Sequence, residues 1–194
     1  MKKQMPVWCS LLFLAACGGG GSNQDTYESY VPSTPTTYTA AQTLSLAQIE
    51  HINLASSINA SDIPNGTYTF NGYALFADGN DFPTQVSSYG LVSNMTMVAN
   101  FEDNSVTGAM YNFLNSSGGL TGTVNITGSI NGTEVNASTS GVLSQSGFTA
   151  INEGSLTGKF VGAHASGAKA TGVGGTMSGS SGSSNYVGIF TGER

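Results

Sequence analysis

The residues from Leu120 to Ile130 restrict the possible folds more than any other part of the sequence. They read Leu-Thr-Gly-Thr-Val-Asn-Ile-Thr-Gly-Ser-Ile. As extended backbone, Leu120, Gly122, Val124, Ile126, Gly128 and Ile130 fall on one face, and Thr121, Thr123, Asn125, Thr127 and Ser129 fall on the other. This is the pattern of a strand with one face in a core and one in water. The same period of two recurs at 67–77, 89–101, 105–114, 120–131, 133–142, 153–162, 168–178 and 185–192, which predicts eight strands. Asp103-Asn104 and Asn131-Gly132 have the residues of two-residue type I′ turns, so neighbouring strands are expected to run antiparallel.

Composition supports this reading. Gly, with 27 of 194 residues, together with Ser, Thr and Asn makes up nearly half the chain, and only 8% is charged. An ordinary soluble domain has about 25% charged residues, so ion-pair-laced helices are excluded. Nine Phe and eight Tyr within a 39% apolar content still supply one core. Gly alternates with large residues on the apolar faces, as in Leu156-Gly158-Phe160-Gly162 and Tyr186-Gly188-Phe190-Gly192. That suits a small closed barrel, which needs large and small side chains side by side and leaves no open edges. The Phe, Tyr and Met residues on these faces predict a filled interior. A sandwich of two sheets is the alternative.

The first residues give an address. Met1-Lys2-Lys3 is cationic, and Val7 to Ala16 is apolar but too short for a membrane span, so residues 1–16 are expected to be a signal peptide. Leu14-Ala15-Ala16-Cys17 resembles the lipobox of bacterial lipoproteins, which implies that Cys17 carries a diacylglycerol and begins the mature protein. Gly18 stands where an Asp commonly retains such proteins in the inner membrane, so outer-membrane localisation is expected. With Cys9 in the leader and Cys17 at the lipid, the mature chain should hold no disulfide. Its basic residues are Lys159, Lys169 and Arg194 against eleven acidic ones, a net charge of about −8. Nucleic acid and anionic headgroups would be repelled, leaving the acyl chains to hold the membrane.

Residues 17–42 are Gly-, Ser-, Thr- and Pro-rich and read as a flexible lipidated tether. In 43–64, Ser45 and Gln48 form a possible capping box, and Ile49, Ile52, Ala55 and Ile58 share a face, predicting a short amphipathic helix. Asp62-Ile63-Pro64-Asn65-Gly66 would stop it. Residues 65–194 form the barrel domain. The fold class expected is therefore all-β, an eight-stranded antiparallel soluble barrel preceded by a lipidated tether and a short helix.

Motifs for chemistry are sparse. A serine triad lacks a G-x-S-x-G elbow, and the two His, His51 and His164, fall on different elements. Zinc would need three or four clustered ligands. Asp78, Asn80 and Asp81 could approach calcium, but Phe82 stands where an EF-hand places an oxygen. Gly172-Val-Gly174 has no third Gly at dinucleotide-binding spacing and no following helix. No catalytic, metal-binding or cofactor-binding residue is assigned, and the chain is not expected to be an enzyme.

Four pieces in order carry a family resemblance: Asn100-Phe-Glu-Asp-Asn-Ser-Val-Thr-Gly108, Gly128-Ser-Ile-Asn-Gly132, Gly154-Ser-Leu-Thr-Gly-Lys-Phe-Val-Gly-Ala-His-Ala165 and Val173-Gly-Gly-Thr-Met177. Residues 67–194 thereby resemble the eight-stranded barrel domain of transferrin-binding protein B and factor H binding protein, surface lipoproteins of Gram-negative bacteria. The family's aromatic-Gly-Pro corner is replaced by Val161-Gly162-Ala163. The resemblance implies an outer-membrane lipoprotein that acts as a noncovalent binding module, and the hydroxyl- and amide-bearing outer face of 120–131 predicts a monomer. Its partner would be a host or environmental macromolecule, or haem. The connections Ala77–Ser88 and Leu143–Asn152 are where recognition is expected, with Phe82, Tyr89 and Phe148 as candidate contacts. One alternative is a carrier of haem or another small ligand, with His51 the conceivable haem ligand because relatives include haem carriers. A transmembrane barrel acting as a pore or enzyme is a less favoured one.

Overall fold

The computed structural model describes residues 33–162 and 170–194. The leader, Cys17 and most of the expected tether lie outside the described residues, as do His164 and the first residues of the segment expected at 168–178.

Eight strands close into a barrel. They are β2 (Thr67–Asp78), β3 (Leu91–Asn100), β4 (Ser105–Asn115), β5 (Gly118–Asn131), β6 (Glu134–Gln145), β7 (Phe148–Gly162), β8 (Ala170–Ser181) and β9 (Ser184–Glu193). Each is antiparallel to the next, and β9 returns to β2 over Asn71↔Glu193 to Asp78↔Tyr186. That closing pair excludes the sandwich. A two-residue strand, β1 (Ser56–Ser57), adds to β7 at Val161 and Gly162.

The expected faces hold. Val124, Ile126 and Ile130 are buried, while Thr123, Asn125 and Thr127 are exposed. Below the level of Val124 the interior is packed by Phe70, Met95, Met97, Met110, Leu156, Phe160, Val173 and Phe190. The ring of Phe190 explains one of the alternating glycines, because a Cβ on Gly158 would lie 2.6 Å from its tip.

The turns differ from expectation. Leu143–Asn152 is not a long connection: Gln145 pairs with Phe148, and Ser146 and Gly147 form a tight turn with φ of 50° and 84°. Two positive φ values are what a type I′ turn requires, so the polar Ser-Gln-Ser-Gly run is strand and hairpin. Conversely, Asn131 pairs with Glu134, which moves the turn to Gly132-Thr133, and of these two only Gly132 has positive φ, as in type II′. Asn104 has the positive φ expected of it but ends a four-residue connection, 101–104.

The helix also starts earlier than its pattern suggested. It is α1 (Tyr38–Leu54), capped by Thr37, whose hydroxyl accepts from the Ala40 N–H at 3.3 Å. Residues 38–42 therefore belong to the helix and not to the tether. Ser45 and Gln48 do not cap it; they are buried in its middle on one face with Ala41 and Ile52. The Ser45 hydroxyl donates to the Ala41 carbonyl at 2.7 Å. The Gln48 amide donates to the Asn71 carbonyl at 3.1 Å and accepts from the Thr191 hydroxyl at 2.8 Å, so it bridges β2 and β9 at their closing seam. Such pairing removes the cost of burying a polar side chain. The helix lies on the outside of the barrel, over the apolar outward residues Leu75, Val92, Leu114 and Val187. Beyond Leu54 the chain is extended at Ser56–Ser57 and makes one 3-10 turn at Ala60–Asp62, so the α-helix does not continue through 55–64.

Candidate functional site

The end of the barrel away from the Gly132 turn is a cup of about 730 Å³. Phe76, Phe113, Leu120, Val124 and Leu143 form its walls, with Asn115, Gln145 and Asn152 among them. The connection 79–90 contributes Pro83, Ser88 and Gly90 to its mouth, and Asp78 stands beside it. The expectation of a filled interior is thus corrected. The rings of Phe76, Phe113 and Tyr186 lie against one another, at centroid distances of 5.9 and 5.6 Å, and leave the space above them open.

Local irregularities build this end. The β4–β5 register shifts between Met110 and Phe113, where Asn112 takes φ of 52°. The bulge turns Phe113 into the barrel and Leu114 outward under the helix. Asn112 is fixed by donating to the carbonyl of Pro35 at 3.0 Å and to Asn94 Oδ1 at 2.9 Å. Across the rim, Asn115 and Gln145 exchange amide hydrogen bonds of 3.2 and 3.3 Å. Lower down, the Tyr186 hydroxyl projects between β7 and β8, only 2.6 Å from where a Cβ would stand on Gly154 or on Gly179. Burial pushes this hydroxyl above its ordinary range.

Of the candidate contacts, Phe82 sits on the 79–90 connection with 47% of its surface exposed. It overhangs an outer groove that Glu153, Ser155 and Asn185 also line. Phe148 begins β7 in the hairpin at this same end. Tyr89 is different. It is only 3% exposed, packed with Val86 and Leu75 beneath the helix, and its carbonyl accepts from Tyr38 and Gln42. It is therefore not available as a partner contact; the helix covers the barrel face on which a loop aromatic was expected to be free.

His51 is exposed on the outer helix, where its Nδ1 meets the Glu193 carboxylate. It does not line the cup. Asn80 is engaged by Asn185, whose amide donates to it at 3.1 Å. Among the described residues no three His, Cys, Asp or Glu side chains are grouped to hold a metal ion. Sequence reasoning missed Asn115, Gln145, Asn152 and Tyr186. Their one signal was polarity on an otherwise apolar face near strand ends.

No protein-family model and no curated protein matches the chain. Among solved structures it is similar to a mutant of the vaccine antigen transferrin-binding protein B from Haemophilus parasuis, with 17% identity and a TM-score of 0.45. It is also similar to intact Ap-TbpB with its N and C lobes, with 14% identity and a TM-score of 0.45. In both cases the match covers 72% of this chain and 28% of the other. The chain thus spans about a quarter of the length of these proteins. The barrel itself stands on the strand pairings described above.

Proposed function

We propose that the chain is a lipid-anchored, noncovalent binding module of the outer membrane that takes its ligand or partner at the open end of the barrel and catalyses nothing. The observation that carries this reading is the cup: a concave, mostly apolar space with a few convergent amides, held by a closed barrel whose ordering cost is met on folding and not on binding. Phe82, exposed beside the mouth, supplies an apolar contact for a partner larger than the cup. The Leu14-Ala15-Ala16-Cys17 pattern supports the anchor, and the hydroxyl- and amide-bearing outer face of β5 suits water better than lipid.

The test is capture. Chain carrying Cys17→Ser is immobilised and exposed to the fluids in which the organism grows, beside Phe82→Ala and a mouth-filling Ala150→Phe variant. A molecule retained by the parent and lost from one or both variants, at unchanged melting temperature, is the expected result. Retention indifferent to both changes would refute binding at this end.

A further inference from the structure

We propose that the cup holds an uncharged, largely apolar small molecule with hydrogen-bonding groups at its outer end, and that it rejects anions. The proposal rests on the binding reading above and assigns its ligand class. About 730 Å³ lies within the range of about 300–1,000 Å³ found for pockets that enclose drug-sized ligands. The deep wall is hydrocarbon and aromatic, from Phe76, Phe113 and Leu143, so the inner part of the ligand must be apolar.

Polar recognition is concentrated at the rim; one amide lies deeper, that of Asn152, which donates to the Ala150 carbonyl at 3.1 Å. Asn115 and Gln145 donate one amide hydrogen to each other, which leaves each a second hydrogen for a ligand hydroxyl or carbonyl; Asn115 Oδ1 also accepts from the Ser117 N–H at 2.9 Å, so the free acceptor capacity lies on Gln145 Oε1. Their reciprocal pairing holds both amides in place before binding, which lowers the ordering cost.

Charge decides the class. Among the described residues that line the cup there is no Lys, Arg or His, and the ionisable groups are Asp78 and the tyrosine Tyr186. A carboxylate, phosphate or sulfonate drawn below the rim would lose its water without gaining a cation. It would also approach the Asp78 carboxylate and a protein that is acidic as a whole. Haem fits poorly on the same grounds: its propionates would have no basic partner here, the described lining holds no His, Cys or Met for the iron, and the hydroxyl of its one Tyr, Tyr186, projects between β7 and β8.

A matched pair of probes tests this. N-phenylnaphthylamine is a neutral fluorophore that brightens in apolar surroundings, and anilinonaphthalenesulfonate adds a sulfonate to a similar ring system. Both are titrated into the mature-length Cys17→Ser chain, with methyl NMR locating the bound probe. The neutral probe should saturate at one site and shift the methyls of Leu120, Val124 and Leu143 while leaving Ile130 and Val135 at the closed end unmoved. The sulfonate should bind at least about tenfold more weakly, about 1.4 kcal/mol, and Asp78→Lys should narrow that gap. Ala150→Phe should abolish binding; if that variant does not fold, the methyl map decides the location. Equal or tighter binding of the sulfonate in the cup would overturn anion rejection while leaving the binding module intact. Absence of saturable binding by either probe, with the cup methyls unmoved, would overturn the small-molecule occupant; the binding reading would then be judged by the Phe82→Ala capture experiment.

Discussion

Leu143 and Leu156 are both buried by exposure, at 6% and 0%, yet truncating them should have different costs because one faces the cup and the other the packed floor. Leu→Ala removes three carbons, and at about 0.8 kcal/mol per buried methylene the transfer loss is about 2.4 kcal/mol. At Leu156 the surrounding Phe160, Met177 and Val135 are themselves fixed by the closed barrel, so the hole persists. A residual cavity of about 75 Å³ at about 24 cal/mol per Å³ adds about 1.8 kcal/mol, for a total near 4 kcal/mol. At Leu143 the vacated space joins a cup that is already open to water, so the cavity contribution is absent and part of the transfer loss has already been incurred. About 2 kcal/mol or less is expected there. Urea unfolding followed by far-ultraviolet circular dichroism measures both, provided the slopes with denaturant match the parent. Equal losses at the two positions would mean that the upper barrel is as tightly packed as the lower, and the cup would not exist in solution.

Three further outcomes follow from the same geometry. Val124→Asp should destabilise the fold by several kcal/mol, because the carboxylate gains no partner inside the barrel, whereas Thr123→Asp, facing water, should cost under about 1 kcal/mol; matching melting temperatures would mean that the faces of β5 are reversed. Burial raises Tyr38, Tyr89 and Tyr186 above their ordinary value of 10.0, so the folded chain keeps these protons at a pH where the unfolded chain releases them. The stability that these three contribute should accordingly be complete below pH 10 and fall as the pH rises through the folded-state values, with these tyrosines among those lagging in a tyrosinate absorbance titration; titration of every tyrosine together at the ordinary value would contradict their burial. Replacing Cys17 with Ser should abolish incorporation of radiolabelled palmitate and release the protein from the membrane fraction, and persistent labelling would remove the anchor from the account.

The barrel was legible because its signal is redundant. Each strand repeats a period of two, and Gly beside Phe or Leu on the inward face encodes curvature as well as burial, so small errors at strand ends did not change the topology. What the sequence concealed lies where polar residues do the work of apolar ones. Ser45 and Gln48 occupy the buried stripe of α1; the Ser45 hydroxyl is satisfied by the Ala41 carbonyl, but Gln48 is made tolerable there only by partners on β2 and β9, more than twenty residues away. With the stripe unreadable, the periodicity alone starts the helix too late and leaves Tyr89 without the cover that α1 gives it. The cup was hidden for a related reason. Phe76, Phe113 and Tyr186 look like filling in one dimension; the vacancy arises from the β4 bulge and from rings that pack against one another and not across the lumen.

Thiol labelling at two inward positions tests most directly whether one end of the barrel is an accessible cup over a closed floor. The native cysteines are Cys9 and Cys17, so in the mature-length Cys17→Ser chain a Cys introduced at Ala150, on the half-buried wall, or at Leu156, in the floor, is the sole thiol. The account predicts that the thiol of Ala150→Cys reacts with a small maleimide without unfolding, and that saturating neutral probe slows it. It predicts that the thiol of Leu156→Cys reacts only as fast as the chain unfolds. Equal protection of both thiols would show a barrel sealed at both ends, and rapid labelling of both would show that no packed floor exists.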